Sequence, residues 1–459
     1  MSNSVSKSSF PVGSTQSPRL TAWPAAVSLL ARWLDRRERI DELIDSLPPS
    51  LAGAERARCQ HLVFGVVRHF GRLETALGRL VSHPPRFPTR AVLLMAGFEL
   101  IEAADAPASE GLVAKIVHHA VEQTKAVASK SEAGLVNAVV RKLALALAVP
   151  PPPKVAPAEV LAEYFSHPDW LVKRWLVDFG ADATRKLLEW NQQPATVYAR
   201  WRGPEGEAAP DFLKPTQWSG FFEVPSGQWS KVEPLLKAGK IYLQDPGTRL
   251  AVELLAPQAG ETVLDGCAAP GGKSLLMADA MKTPSTGSTG SPQTGSGQAG
   301  KIVAMDLPGP RIGRLKENLS RAHGVEVALV QADLLEAPTL ALREHKLPES
   351  YSAVLIDVPC SNTGVMRHRA DVKWRLEPRD FDKHGRQQLA LLHAAARLVA
   401  PGGRLVYSTC SLDPEENDRV IKAFFDSRAG GPFKLEKSVV SLPWVTGHDG
   451  GAAFLLRKS

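Results

Sequence analysis

The sequence predicts an α/β architecture: a doubly wound domain over residues 239–459, preceded by an all-helical domain over 21–149 and a small α+β connector over 150–238. Two observations predict it. From Ile241 onward, short apolar runs that read as buried strands alternate with helical patterns, and such alternation builds a parallel sheet with helices on both faces. From about Trp23 to Val149, apolar residues recur at three- and four-residue spacing, with Gly and Pro breaks between segments, the pattern of packed helices.

The elements follow in order. Residues 1–20 are polar and serine-rich and are expected to be a disordered tail. The segments "PAAVSLLARWLDRR", "ARCQHLVFGVVRHFGRLETALGRLV", "RAVLLMAGFELIEAA", "GLVAKIVHHAVEQTK" and "AGLVNAVVRKLALALA" are each expected to be helical. The run "VPPPPK", Val149 to Lys154, forms a stiff linker, because its prolines neither continue a helix nor donate to a ladder. The connector opens with a helix in "HPDWLVKRWLVDFG" and continues with short alternating runs such as "ATVYARW". Its tryptophans, Trp170, Trp175, Trp190 and Trp201, are expected in the core.

In the last domain the strands are "TVLDG", "KIVAMD", "VEVALV", "AVLID" and "RLVYS". Helices are expected near Gly272 to Met281, Arg311 to His323, Gly385 to Val399 and Pro414 to Phe425. The tract 283–300, "TPSTGSTGSPQTGSGQAG", is too rich in Gly, Ser and Thr to pack and is expected to be a disordered insertion.

Composition narrows the function classes. With 44% hydrophobic and 22% charged residues among 459, the chain has ample apolar material for folded cores, which excludes wholesale disorder. A net charge of +7 favours a polyanionic partner, of which nucleic acid is the commonest. No apolar stretch approaches the roughly 20 residues of a membrane span, and no apolar region precedes a cleavage site near the N-terminus. Four irregularly spaced cysteines, Cys59, Cys267, Cys360 and Cys410, form neither a metal-ligand pattern nor a disulfide framework, so no metal and a reducing, cytoplasmic setting are expected.

The glycine turn "VLDGCAAPGGK" runs from a strand ending at Asp265 into a helix starting near Gly272, so backbone N–H groups face the crevice at the strand ends. It matches neither the dinucleotide fingerprint nor the P-loop. A turn without a phosphate cradle suits a nucleoside with an uncharged linker such as S-adenosyl-L-methionine, with Gly271 and Gly272 letting the backbone approach it. Asp306 ends the second strand, where an acidic residue holds ribose hydroxyls. It lies 35 residues after Gly271, and 18 of those are the tract 283–300. Asp333, after the third strand, can accept the adenine amino protons, and Asp357 ends the fourth. The three carboxylates are expected to form one row along the crevice.

Cys360 in "AVLIDVPC" and Cys410 in "RLVYSTC" each lie just past a strand. Two thiols at the ligand edge suit covalent chemistry on a cytosine. C5 of that ring is too poor a nucleophile to take a methyl group directly, so a thiolate first adds at C6 and an acid near N3 stabilises the adduct. "DVPC" supplies Asp357 and Cys360 together. His393 in "LLHAAARLV" reads as a packed helix histidine, and Asp245 with Pro246 as a helix N-cap and first position.

"LDGCAAPGGK", "DVPCSNTGVMRHRADVKW" and "PGGRLVYSTCSLDPEEND" resemble the motifs of the Sun (Fmu, RsmB) family of RNA cytosine-C5 methyltransferases, over essentially all of Ile241 to Arg457. The resemblance implies a Rossmann-like class I methyltransferase domain and S-adenosyl-L-methionine as cofactor. It makes Cys410 the nucleophile, Cys360 the thiol that assists release, and Asp357 the group that stabilises cytosine N3. Cofactor contacts fall on Cys267, Ala268, Ala269, Pro270, Gly271, Gly272, Lys273, Asp306, Asp333 and Asp357. The chain departs from relatives at Gly266, where a larger apolar residue is frequent, and at Pro308 with Gly309, which open the second helix unusually.

"QHLVFGVVRHFGRLETALGRL" and "GLVNAVVRKL" are similar to the NusB fold that Sun-type 16S ribosomal RNA methyltransferases carry in front of the catalytic half. This implies a cytosine in small-subunit ribosomal RNA, free or within an assembly intermediate, as substrate of a monomeric enzyme with no membrane partner. Arg68 and Arg72, four apart on a helix, can contact phosphates. "RHRADVKWR" offers Arg367, His368, Arg369 and Lys373 around Trp374, suited to a single-stranded or flipped-out nucleotide. The alternatives are a transfer RNA substrate, or a non-catalytic RNA-binding factor for ribosome assembly or antitermination.

Overall fold

The computed structural model describes residues 21–104, 111–204, 206–282, 300–336 and 338–459. The expected tail (1–20) and the insertion up to residue 299 lie outside the described residues. The chain forms two compact units, Met1–Pro151 and Pro152–Ser459, dividing inside the proline run.

The described part of the first unit is helical, with helices at Ala22–Arg36, Ile40–Asp45, Gly53–Gly78, Phe87–Ala104, Leu112–Val127 and Glu132–Leu147. The fourth buries Ala91 to Phe98 without interruption, because a helix apolar on every side is stable only at the centre of a bundle. Two glycines set how close its neighbours come. A Cβ at Gly65 would lie 2.1 Å from the Phe98 ring, and one at Gly97 would lie 2.7 Å from Leu73. Trp33 packs edge-to-face on Phe70, with ring centroids 4.8 Å apart, a geometry worth about 1 kcal/mol beyond its buried area.

The second unit contains both the connector and the large sheet. Helices Ala158–Tyr164 and Asp169–Gln192 precede a small antiparallel sheet of β1 (Tyr198–Trp201), β2 (Lys214–Pro215), β3 (Phe221–Glu223) and β4 (Ile241–Leu243), in order β2-β3-β1-β4. Trp175 is fully buried in a cluster that includes Met366, Val372, Phe381 and Leu412, so the connector shares its core with the segments that follow Cys360 and Cys410. Trp170 packs on the same cluster and Trp201 on the small sheet.

The large sheet has seven strands: β5 (Thr262–Asp265), β6 (Lys301–Asp306), β7 (Glu326–Gln331), β8 (Tyr351–Asp357), β9 (Val399–Thr409), β10 (Phe433–Ser441) and β11 (Gly451–Lys458). Their order is β10-β11-β9-β8-β5-β6-β7. Strands β5 to β9 are parallel and are largely apolar where helices cover both faces. The sheet is not parallel throughout. β11 inserts antiparallel between β9 and β10, a closing hairpin that strand-helix alternation does not signal. The edge strand β10 carries Lys434, Glu436 and Lys437 and a register shift between Leu435 and Lys437, both of which discourage pairing with another chain. The chain runs outward from β5 through β6 to β7, then returns to place β8 on the other side of β5. The carboxyl ends of β5 and β8 therefore flank the switch point where such sheets bind ligands.

Candidate functional site

The glycine turn is clamped between its neighbouring strands. Gly266 N donates to Leu355 O at 2.8 Å and Ala268 N to Met305 O at 3.0 Å. A Cβ at Gly266 would lie 2.9 Å from Ile356 Cγ2 and 3.3 Å from Leu334 Cδ2, which explains why this chain has glycine there. Gly271 takes φ 104° at the N-terminus of helix Gly272–Ala280, a left-handed value that favours glycine. Buried Asp265 accepts a bond from Ser274 Oγ at 2.6 Å, and burial raises its pKa from 3.8 to about 7. Burial, then the carboxylates of Asp306, Asp265 and Asp357, push the Cys267 thiol well up, so Cys267 is an inert wall residue.

Asp306 accepts Ala269 N at 2.8 Å and pairs with Arg311 at 3.2 Å. Half-buried Asp333 accepts Leu335 N at 2.8 Å. With Asp357 these carboxylates lie at or just past the ends of β7, β6 and β8, but β5 with Asp265 stands between the last two. The expected row of three is thus interrupted by a fourth carboxyl turned into the core. Acidic groups at these positions suit hydroxyl donors, an exocyclic amine and a sulfonium cation, and oppose a phosphate. The donor set therefore fits S-adenosylmethionine.

Asp357 links the glycine turn to the thiol loops. Its Oδ2 lies 2.6 Å from Lys273 Nζ, and its Oδ1 accepts Ser408 Oγ at 3.1 Å across the β8–β9 register. Burial alone would lower the Lys273 pKa, but attraction to Asp357 and the hydrogen bond to it outweigh this and raise it. Cys410 Sγ lies 2.9 Å from Cys360 Sγ, both as free thiols. Cys360 is buried and Cys410 half-buried. A hydrogen bond toward Cys410, then burial, raise the Cys360 pKa well above its ordinary value. Lys273, Asp357, Cys410, Asp245 and Asp449 line one crevice. Burial and then Asp245 push the Asp449 carboxyl well up.

A buried polar network fixes the two thiol loops. Glu416 accepts Ser361 N at 2.8 Å, Ser361 Oγ, and Gln388 Nε2 at 3.0 Å. Asp413 accepts Thr363 Oγ1 at 2.6 Å, and Gly364 N donates to Cys410 O at 2.9 Å. From the connector, Arg174 pairs with Asp413 at 3.1 Å and with Glu415. Such a network rigidifies the loops because each of these buried groups is satisfied by another.

The structure brings Cys410, Cys360, Asp357 and Lys273 together, and places Ala268, Ala269, Pro270, Gly271 and Gly272 in the adjoining turn. The expected phosphate contacts divide differently. Arg68, Arg367 and Lys373 are buried. Arg367 stacks on Trp190 at 4.0 Å and donates to Pro194 O at 2.7 Å and Thr196 Oγ1 at 3.1 Å, anchoring the loop to the connector. Arg72 donates to Leu147 O at 2.8 Å, and Trp374 is half-buried. Arg68, Arg367 and Lys373 therefore turn inward, while Arg72 is half-buried. His368 and Arg369 are exposed, and His368 lies 3.6 Å from Asp449. His393 packs on Phe424 and bonds Ser427 at 3.0 Å, and Asp245 caps Gly247 N at 2.7 Å. Sequence reasoning missed Ser408, Asn362, Asp449, Asp413 and Glu416. Only "STCSLDPEEN", unusually polar directly after a buried strand, signalled the last two.

The profile of the 16S rRNA methyltransferase RsmB/F family matches residues 252–438, and that of the NusB family residues 21–145. The chain is 30% identical over 390 residues to the probable ribosomal RNA small subunit methyltransferase B of Bacillus subtilis, covering 82% of this chain and 80% of that protein. It is 27% identical to the ribosomal RNA small subunit methyltransferase B of Citrobacter koseri, over 93% of this chain and 96% of that one. The crystal structure of PH0851 shares the fold with a TM-score of 0.71 at 22% identity, covering 96% of this chain and 99% of that one. A methyltransferase homolog from Pyrococcus horikoshii shares it with a TM-score of 0.52 at 22% identity, over 66% and 100%. The chain thus belongs to the 16S rRNA methyltransferase RsmB/F family, of the S-adenosylmethionine-dependent type, with a NusB-family domain ahead of its catalytic unit.

Proposed function

We propose that the protein methylates C5 of a cytosine in small-subunit ribosomal RNA through a transient bond from Cys410 to C6. The observation that carries this reading is the Cys410–Cys360 contact of 2.9 Å at the mouth of the crevice that Asp357 and Lys273 line. S-Adenosylmethionine, when bound beside the glycine turn, supplies the methyl group. Cys410, the more accessible thiol, passes its proton to Asp357 on the same crevice and adds to C6 as the thiolate, which moves electron density toward C5. Asp357, held by Lys273 and Ser408, faces N3 and the amino group and stabilises the adduct. Once C5 carries the methyl group, a water molecule takes the C5 proton, the C5–H electron pair restores the C5–C6 double bond, and the C6–S bond breaks with its pair returning to the Cys410 sulfur. Cys360, kept a thiol by its surroundings, then stands beside the departing sulfur as a proton donor. The substrate class follows the relatives, both named for ribosomal RNA.

The test is methyl transfer from labelled S-adenosylmethionine to 16S ribosomal RNA, with the product nucleoside identified by mass spectrometry. The expected product is 5-methylcytidine, and it is absent with Cys410→Ser. Label on another base, or none, contradicts the proposal.

A further inference from the structure

Asn318 lies near the end of helix Arg311–Leu319 and is buried, although asparagine is a poor helix former and a buried carboxamide must find partners. It finds three. Nδ2–H donates to the Pro270 carbonyl oxygen of the glycine turn at 2.8 Å and to the hydroxyl oxygen of Tyr242, in β4 of the connector, at 3.1 Å. Oδ1 accepts Arg321 Nη1 at 2.8 Å. These partners fix which way the carboxamide points, because a carbonyl only accepts and a guanidinium only donates. Arg321 is held in turn from the connector, where Arg202 donates to Arg321 O at 2.9 Å and to Asp279, on helix Gly272–Ala280, at 2.7 Å.

The bond to Pro270 acts on one peptide unit. In a trans peptide the carbonyl and the following N–H point opposite ways. Both ends of unit 270–271 are held, the oxygen by Asn318 and Gly271 N–H by Ala268 O at 2.6 Å. Such a unit is otherwise free to turn over, since the glycine after it accepts either sign of φ, and Gly271 stands at φ 104°. Helix Gly272–Ala280 starts from this unit, and the first N–H groups of a helix have no partner within it. We propose that Asn318 is a positioning residue for cofactor binding, which pins the 270–271 peptide so that those N–H groups stay turned toward S-adenosylmethionine. The inference rests on the cofactor lying beside the glycine turn, as proposed above.

The experiment is equilibrium dialysis of labelled S-adenosylmethionine against the full chain, beside urea unfolding and a KM-against-kcat comparison on 16S ribosomal RNA. Asn318→Asp keeps the volume and the Arg321 contact, and the Tyr242 hydroxyl turns to donate to it, but the donor to Pro270 O becomes a repelling oxygen. Its Kd for S-adenosylmethionine is expected to rise about tenfold, with the loss falling on KM rather than on kcat. The added negative charge would by itself tighten binding of a sulfonium cation, so weaker binding has another cause. Tyr242→Phe spares the Pro270 bond and is expected to bind nearly as tightly as the unaltered protein. Arg321→Met, at a half-buried position, lets the carboxamide swing and is expected to weaken binding about threefold. It carries the test should Asn318→Asp unfold. A Kd unchanged in Asn318→Asp, or in Arg321→Met where the former is unfolded, overturns the proposal, as does an equal loss in Tyr242→Phe. Asp306→Asn separates the two readings. If it too leaves the Kd unchanged, the proposed cofactor site falls and the role of Asn318 with it, whereas if it alone weakens binding only the role of Asn318 falls.

Discussion

Lys273 Nζ stands 2.6 Å from Asp357 Oδ2, joining the helix behind the glycine turn to the end of the strand that presents Cys360. One ion pair thus couples the glycine turn to the strand end where we propose that the cytosine binds. Removing the lysine would leave Asp357 with a weaker hold on its orientation and the crevice with an uncompensated charge.

Lys273→Met is accordingly expected to slow single-turnover methyl transfer by about a hundredfold at a temperature where the variant remains folded. A rate equal to that of the unaltered enzyme would remove Lys273 from the chemistry.

Glu416 is fully buried and accepts bonds from Ser361 and Gln388. Glu416→Ala strands those donors and is expected to cost about 3 kcal/mol in urea unfolding, whereas Glu416→Gln, which keeps a carbonyl acceptor, costs less. Equal costs for the two variants would show that the carboxylate with both its acceptor oxygens, rather than side-chain volume, matters at this position.

Burial raises the pKa of Asp265 to about 7 from an ordinary 3.8, and that of Asp413 to about 6. Between these values the native protein holds protons that the unfolded chain has released. Their contribution to stability is therefore complete below about pH 4 and is lost as pH rises through 6 and 7. For Asp265 alone the loss is at most about 4 kcal/mol. Asp265→Asn should flatten this part of the stability profile, so that the variant gains on the parent between pH 4 and 8. Parallel profiles would contradict the assignment.

The exposed and buried cations of the loop after Cys360 should separate cleanly. Arg369→Ala is expected to weaken RNA binding several-fold and to reduce the salt dependence by about one unit of log–log slope, with stability intact. Lys373→Ala, at a buried position, is expected to lower stability first. Binding measured against ionic strength, beside thermal melting, distinguishes the two.

The helical and α/β halves were legible because period and strand-helix alternation are local signals. The thiol pair, the glycine turn and Asp357 were legible because each sits immediately beyond an apolar strand. The C-terminal hairpin was not, since β11 acquires its place between β9 and β10 only through long-range pairing. Nor was the inward turn of Arg367 and Lys373, because a cationic loop reads as solvated until its packing partners, here Trp190 and the connector, are known. Gly266 looked like a departure from the family, and the side chains of Ile356 and Leu334 explain it.

The most direct measurement is to incubate the Cys360→Ser variant with S-adenosylmethionine and 16S ribosomal RNA, denature, and map any protein–RNA crosslink by peptide mass spectrometry. The expected result is a denaturation-resistant adduct through Cys410 that is absent from Cys410→Ser, because the methylated adduct forms but is not released. An adduct through another residue, or two variants that are equally inactive and uncrosslinked, would contradict the account.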